Sequence, residues 1–317
     1  MYQHPELPIA LTVDVIIPTW NRRDLVLTCL AALAGQDVRH SVVVVDNASQ
    51  DGTAESVRAG FPEAAVVEMP ANVGFGRAVN AGVWSASGEI VVVINNDVLV
   101  EPGFLSELCR AFESEPAVSA VAGVLLDAEG VHIDAAGIEV DGGLAGYSYL
   151  HGCPQSALKG AAAPLGPTGG AAAYRRSAFR AVDGFDEEMF AYSEDVDLAL
   201  RMADKAMVCG FAPLARARHL GSATLGRRTV AQLERSAWSR GYLLGRYRVP
   251  ARWVLLEAAV GMLDCGLTRS VVPARSRLDG FRRGRRLPAR MVPSEAFDRR
   301  IPLKTGMASK WHSVRGA

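Results

Sequence analysis

A series of short β-branched runs, each ending in a polar or glycine-bearing turn, constrains this chain more than any other feature. Val13–Pro18 (VDVIIP) stops at Thr19-Trp20-Asn21, and Ser41–Asp46 (SVVVVD) stops at a dense turn running from Asn47 to Gly52. Ala65–Met69 leads to Asn72-Val73-Gly74-Phe75-Gly76, and Glu89–Ile94 (EIVVVI) stops at Asn95-Asn96-Asp97. The stretches between them, Asp24–Leu33, Thr53–Ala59 and Arg77–Ser85, read as helices; in the first, Leu25, Thr28, Cys29 and Ala32 share one face. Strands alternating with helices across short loops predict βαβ units, right-handed crossovers and a doubly wound α/β sheet. The run EIVVVI is nearly all apolar, as a central strand covered on both faces must be.

In such a sheet the ligand sits outside the carboxyl ends of the strands. Four polar or glycine-bearing ends converging on one edge predict a nucleotide site there. No G-x-G-x-x-G follows the first strand and no G-x-x-x-x-G-K-[ST] occurs anywhere, which argues against a dinucleotide-binding or P-loop enzyme. The five cysteines lie far apart, with no C-x-x-C pair. That excludes a zinc module or disulfide framework and fits a reducing cytosol. The first residues carry no basic n-region, so no signal peptide is expected. No apolar run is long enough for a spanning helix. Hydrophobic residues make up 49% and charged residues 21% of the 317, enough to bury a sizeable core.

The motifs resemble the inverting family 2 glycosyltransferases. The likeness runs through VDVIIPTWNRRD, VVVVDNASQDGT, NVGFGRAVNAG and VVVINNDVLVEPGFL, then GPTGGAAAYRRSAFRAVDGFDEEMFAYSEDVDLALR and ARHLGSAT. It covers residues 12–225 in the family's order and implies the A-type nucleotide-sugar fold, a Rossmann-like doubly wound mixed sheet. Asn95-Asn96-Asp97 in place of Asp-x-Asp, beside GFGRAVN, resembles the rhamnosyltransferase-like branch. Residues 226–317 are then expected to form a helical, Arg-rich C-terminal extension.

Moving a sugar from a nucleoside diphosphate requires charge neutralisation at the leaving group and a base for the acceptor hydroxyl. By the resemblance, Asp97 and His219 are the metal ligand candidates, for Mg²⁺ or Mn²⁺. Asp195, the second acid of the Glu194-Asp195 pair, is the expected base, and it falls in the first turn of a helix starting near Ser193. That position is expected to keep it ionised at neutral pH. Glu194 is expected to contact the acceptor or orient the site, and Asp197 to face outward. Pro18, Thr19, Trp20, Asn21, Arg22, Asp46, Asn47, Asn72, Gly74, Asn80, Asn95 and Asn96 are expected at the nucleotide, with the glycines of the Gly74-Phe75-Gly76 loop letting backbone approach it. Gly169 and Gly170 leave room for a sugar ring, and Arg216 and Arg218 are near enough in sequence to help neutralise phosphate. The Gly- and Pro-rich stretch from Asp141 to Gly170 reads as a mobile acceptor-side loop.

The resemblance favours dTDP-rhamnose as donor and a glycan or lipid-linked glycan as acceptor. The alternatives are a UDP- or GDP-sugar-dependent transferase tailoring a small natural product, or a non-catalytic sugar-nucleotide-binding scaffold. A nucleotidyltransferase would need a glycine-rich phosphate loop after the first strand, and Thr19-Trp20-Asn21-Arg22-Arg23 supplies none.

The zero net charge hides a division. Residues 1–214 hold 12 Lys/Arg against 28 Asp/Glu, and residues 215–317 hold 22 against 6. Either the basic part folds against the acidic part, or it meets something anionic. Ala231–Leu244 and Trp253–Leu267 read as helices, and eight arginines between Arg269 and Arg290 follow. An apolar helix beside that run suggests an anionic membrane surface. A cytoplasmic enzyme, peripheral on the inner face of the plasma membrane, is the resulting expectation. No recognition motif for nucleic acid accompanies the basic run, so none is expected as partner.

Overall fold

The computed structural model describes residues 11–221 and 229–293. The β-branched runs form strands because both of their faces are covered. β1 (Val13–Thr19) is buried throughout, as is β4 (Ile90–Ile94). Along β1, Val13, Val15 and Ile17 enter one apolar layer while Ile16 enters the other, the period of two that a strand imposes. β2 (His40–Asp46) and β3 (Ala65–Glu68) continue the sheet outward from β1, all in parallel. The crossover helices α1 (Arg23–Ala34), α2 (Thr53–Gly60) and α3 (Phe75–Ser85) follow the spacing read from sequence.

The remaining chain adds β5 (Val98–Val100), α4 (Phe104–Ser114), β6 (Val118–Leu126), β7 (Ile133–Ala135), β8 (Ile138–Val140) and β9 (Gly146–Ser148). β10 (Ala171–Arg175), α5 (Arg176–Ala181), α6 (Glu194–Asp204) and β11 (Val208–His219) complete the catalytic part. Among the described residues the main sheet runs β3-β2-β1-β4-β10-β6-β11-β5, with β7 also on β6. The chain order reverses between β1 and β4, so the crevice of a doubly wound sheet opens there. β10 is antiparallel to β4, with Ala171 opposite Ile94. Its beginning therefore reaches the same edge as the end of β4, carrying Gly169 and Gly170 to it. β11 ends there as well, with His219 opposite Val98.

The stretch expected to be a mobile loop is a built element. β8 and β9 pair as a hairpin, and buried Asp141 accepts from the backbone N–H groups of Gly143 and Ala145 and from the Tyr147 hydroxyl. Its composition is that of a loop because tight turns and close packing also select small residues.

The extension consists of α7 (Val230–Arg246), α8 (Ala251–Thr268) and α9 (Val272–Arg286); the boundary expected at 225/226 lies outside the described residues. α7 and α9 run parallel at backbone contact. Each carries a G-x-x-x-G, Gly241 with Gly245 and Gly280 with Gly284, and the glycines interlock. A Cβ on Gly241 would lie 1.9 Å from the Arg277 carbonyl oxygen, and one on Gly280 would lie 2.0 Å from that of Trp238. Small residues four apart let two helix backbones approach closely.

The basic extension also folds against the acidic part, as one of the two charge readings required. Arg290 reaches Asp186 at 2.8 Å and Asp197 at 2.6 Å, and Arg283 holds Glu188 with two N–H donors. Asp197 is fully buried rather than outward-facing, and it also accepts from Arg201 and the Tyr247 hydroxyl. Its neighbour Leu198 points to the core, but Arg201 of the same helix and Tyr247 and Arg290 of the extension draw Asp197 inward too. Arg240 ties the β8–β9 turn to α8, donating to the Gly143 and Leu144 carbonyls and to Glu257.

Candidate active site

A cleft of about 580 Å³ opens at the carboxyl edge of the sheet. Its walls gather Pro18, Thr19, Trp20, Asn47, Asn72, Gly74, Asn95, Asn96, Asp97, Gly169, Gly170, Glu194, Asp195 and His219 from the residues expected in the site. The Asn96 amide donates to the Thr19 hydroxyl at 2.8 Å, which closes the floor between β1 and β4.

The loop after β3 is held from within. The Asn47 amide donates to Asn72 and to the Gly74 carbonyl, and its oxygen accepts the Val73 N–H. Gly74 has φ +89°, and a Cβ there would lie 2.3 Å from the Phe190 carbonyl oxygen. That oxygen accepts the Phe75 N–H at 2.7 Å. The glycine is thus required by a close protein backbone, and the loop joins the segment that leads to the acids. Gly76 likewise packs on Phe185 inside α3.

Other expected residues lie outside the cleft lining, each for a visible reason. Asn80 is buried, donating to the Phe185 carbonyl and accepting its N–H, which bolts α3 to the 184–187 turn. Asn21 accepts the Gln50 N–H and so braces the loop after β2. Asp46 is buried and accepts the Ser49 N–H, and Arg22 stands at the N-cap of α1. Arg216 donates to Gln155, and Arg218 faces Glu101 at 3.5 Å. The opposite happens for Phe75, Thr168, Phe190, Tyr192 and Arg235, which line the cleft although no spacing pattern singled them out.

The acids enter through a strained turn. Tyr192 and Ser193 both have positive φ, 71° and 63°, a conformation that costs on the order of 1 kcal/mol or more per non-glycine residue. Ser193 occupies the N-cap of α6 but its side chain makes no capping bond. Asp195 accepts the N–H groups of Val196 at 2.8 Å and Gly169 at 3.3 Å. Glu194 is buried, and its Oε2 has no hydrogen-bond partner among the described residues. Burial, and then the adjacent Asp195 charge, push Glu194 well above the usual carboxylate range. Burial also raises Asp195, against the pull of its backbone N–H donors. The helix terminus alone therefore does not set its charge, as the sequence suggested. Both carboxyl groups are thus shifted toward the protonated form, Glu194 the further, while the two backbone N–H donors on Asp195 favour its charged form.

Across the cleft, Asp97 and His219 face each other, His219 Nε2 lying 3.5 Å from Asp97 Oδ1. That oxygen is buried and accepts no hydrogen bond among the described residues. His219 Nδ1 lies 2.7 Å from Asp134 Oδ2, an orienting carboxylate on β7 that sequence reading missed. Burial opposes the imidazolium, but Asp134 and Asp97 outweigh it and lift His219 to about 10. Among the described residues no cluster of three His, Cys, Asp or Glu forms a protein-only cage. A buried uncommitted carboxylate oxygen beside a carboxylate-oriented imidazole nevertheless suits a divalent cation that takes its other ligands from a diphosphate.

The family model for glycosyl transferase family 2 matches residues 14–183. The chain belongs to that family. This family 2 enzyme is a glycosyltransferase. It is 29% identical over 280 residues to the N-acetylglucosaminyl-diphospho-decaprenol L-rhamnosyltransferase of Mycobacterium tuberculosis, covering 80% of this chain and 88% of that protein. Among solved structures it is similar to a mannosyltransferase from Pyrobaculum calidifontis in complex with GDP-Man and Mn²⁺, with TM-score 0.55, 22% identity and coverage of 95% and 81%. Residues 1–349 of TarS from S. aureus match with TM-score 0.52 and 18% identity, covering 86% of this chain and 92% of that one. Both likenesses bear on the fold, and both agree with the A-type sheet described above.

Proposed function

We propose that this glycosyltransferase moves a rhamnosyl group from dTDP-rhamnose to the sugar of a lipid-linked N-acetylglucosaminyl diphosphate, in the assembly of a cell-surface polysaccharide. One observation carries the reading: the match to the mycobacterial rhamnosyltransferase is nearly end to end, extending well past the family domain. In this scheme Asp195 removes the proton of the acceptor hydroxyl as that oxygen attacks the anomeric carbon. Protonated Glu194 keeps a second negative charge away from the incoming phosphates. The amide-lined floor formed by Thr19, Asn47, Asn72, Asn95 and Asn96 receives the nucleotide. Asp97 and His219 would hold Mg²⁺ or Mn²⁺, and the bound ion would neutralise the charge growing on the departing diphosphate. To hold the ion His219 would have to give up its Nε2 proton, so ion affinity should rise with pH.

A panel of UDP, dTDP, GDP and CDP tested by thermal shift, with and without Mn²⁺ or Mg²⁺, checks the donor side. The expected result is a stabilisation by dTDP that requires the ion. A larger shift with another diphosphate would reassign the base, and no shift with any would remove the catalytic reading.

The extension supports a second contact, with an anionic bilayer. No helix among the described residues is long and apolar enough to cross a membrane. On α8 and the following turn, Leu255, Met262 and Val271 are 71%, 68% and 74% exposed. Exposed Arg269, Arg275, Arg282, Arg285 and Arg286 lie on the same hairpin, although Arg277, Arg283 and Arg290 are taken up internally. Exposed apolar side chains amid arginines match a lipid surface of opposite charge. The full chain should co-sediment with phosphatidylglycerol vesicles at low salt, and Leu255→Glu with Met262→Glu should release it. Equal sedimentation of wild type and variant would refute the contact.

A further inference from the structure

Three acids and four asparagines stand in the cleft lining, yet among the described residues that lining includes a single arginine or lysine, Arg235 on α7. The fold engages the other buried and half-buried arginines of the extension: Arg240 pairs with Glu257, Arg277 with Glu257 and Asp264, and Arg290 with Asp186 and Asp197, while Arg246 and Arg248 donate to backbone carbonyls. Arg235 is treated differently. Its guanidinium carbon lies 3.6 Å from the centre of the Phe190 ring. Stacking on an aromatic face fixes a guanidinium plane without neutralising it, and leaves the N–H edge for an anion.

Its neighbours say which anion. The pair Asp97 and His219, at the ends of β4 and β11, is the charge-handling site for the donor diphosphate. Arg235 instead stands on Phe190, which opens the segment carrying Glu194 and Asp195. An acceptor must bring its hydroxyl to Asp195, and an anionic acceptor would meet two carboxyl groups there; among the described residues of the lining the counter-charge left for it is Arg235, because His219 is engaged by Asp97 and Asp134. The helix register adds a direction. Gly241 packs on Arg277 and Gly245 on Phe281, so α7 and α9 run in the same direction from that contact.

We propose that Arg235 is the contact for the acceptor's phosphate, a subsite that takes the diphosphate joining the acceptor sugar to its lipid. The sugar would then meet Asp195 and the phosphate Arg235. The inference rests on the reading that the acceptor is a diphosphate-linked sugar, and its test is chosen to stand apart from turnover.

Citronellyl diphosphate, a short polyprenyl diphosphate without sugar, is titrated into the full chain already saturated with dTDP and Mg²⁺, so that the donor site is filled. Wild type should bind it, Arg235→Met should bind it about 10-fold or more weakly, and Arg235→Lys should recover most of the loss. The affinity of dTDP should be the same in all three. Equal binding by wild type and Arg235→Met, no binding by wild type, or a loss confined to dTDP would each overturn the assignment. Failure to glycosylate a lipid-linked N-acetylglucosaminyl diphosphate, with citronellyl diphosphate binding intact, would refute the proposed sugar acceptor and leave the anion subsite standing.

Discussion

Asp195→Asn is expected to lower kcat by about 10³-fold or more while dTDP affinity changes by less than about threefold. The asparagine keeps the size of the side chain and can still accept the Gly169 N–H, but it cannot take the acceptor proton. Glu194→Gln should behave oppositely. Glu194 is held protonated by burial and by the Asp195 charge, so a neutral amide reproduces its working state and kcat near pH 7 should fall by no more than about tenfold. The pH profile separates the two. Asp195 is raised in the fold, so kcat/KM should climb with pH through a limb above the ordinary aspartate range. It should fall again as Glu194 ionises and brings a second negative charge beside the phosphates. That basic-side fall should vanish in Glu194→Gln. An inactive Glu194→Gln beside an active Asp195→Asn would make Glu194 the base.

How much of this was legible in the sequence depends on which force acts at each residue. The strand runs and their polar ends placed the sheet, the switch between β1 and β4, and most of the cleft lining, because burial on both faces leaves an unmistakable apolar run. The motif order brought Asp97, Asp195 and His219 to the right edge. Asn80 was misread because an asparagine bound to backbone has the same letter as one facing a ligand. Gly74 lines the cleft as expected, but a glycine says only that something approaches closely, and the close neighbour in the fold is the Phe190 backbone. Asp134 and Arg235 were invisible because each matters through one partner distant in the chain, His219 for the first and Phe190 for the second. Asp197 was placed outward because helix periodicity does not count the Tyr247 and Arg290 donors that the extension delivers.

Gly280→Val should be the most disruptive single change outside the cleft. A Cβ there would lie 2.0 Å from the Trp238 carbonyl oxygen, and on Gly241 1.9 Å from that of Arg277. Backbone cannot yield as a side-chain tip can, so α7 and α9 must separate. The Tyr242 hydroxyl bond to Asp186 and the Arg290 bonds to Asp186 and Asp197 depend on that docking. The expected cost is about 3 kcal/mol or more, a fall in Tm of about 5 °C for a chain of this length. Gly280→Ala should cost less but still destabilise. Gly266 in α8 is the control, because nothing lies within 4 Å of its added Cβ; Gly266→Ala should be neutral or stabilise by about 0.5 kcal/mol through helix propensity. Thermal unfolding of the three variants checks this, and equal Tm values for Gly280→Val and wild type would contradict the close α7–α9 contact.

The central claim is that this cleft transfers rhamnose by a single displacement with Asp195 as base. The most direct test is to incubate the full chain with dTDP-rhamnose, Mg²⁺ and a lipid-linked N-acetylglucosaminyl diphosphate, and to determine the anomeric configuration of the product by NMR. A rhamnosylated product with configuration inverted relative to the donor, absent with Asp195→Asn, is the predicted result. A retained configuration, or undiminished product from Asp195→Asn, would contradict it.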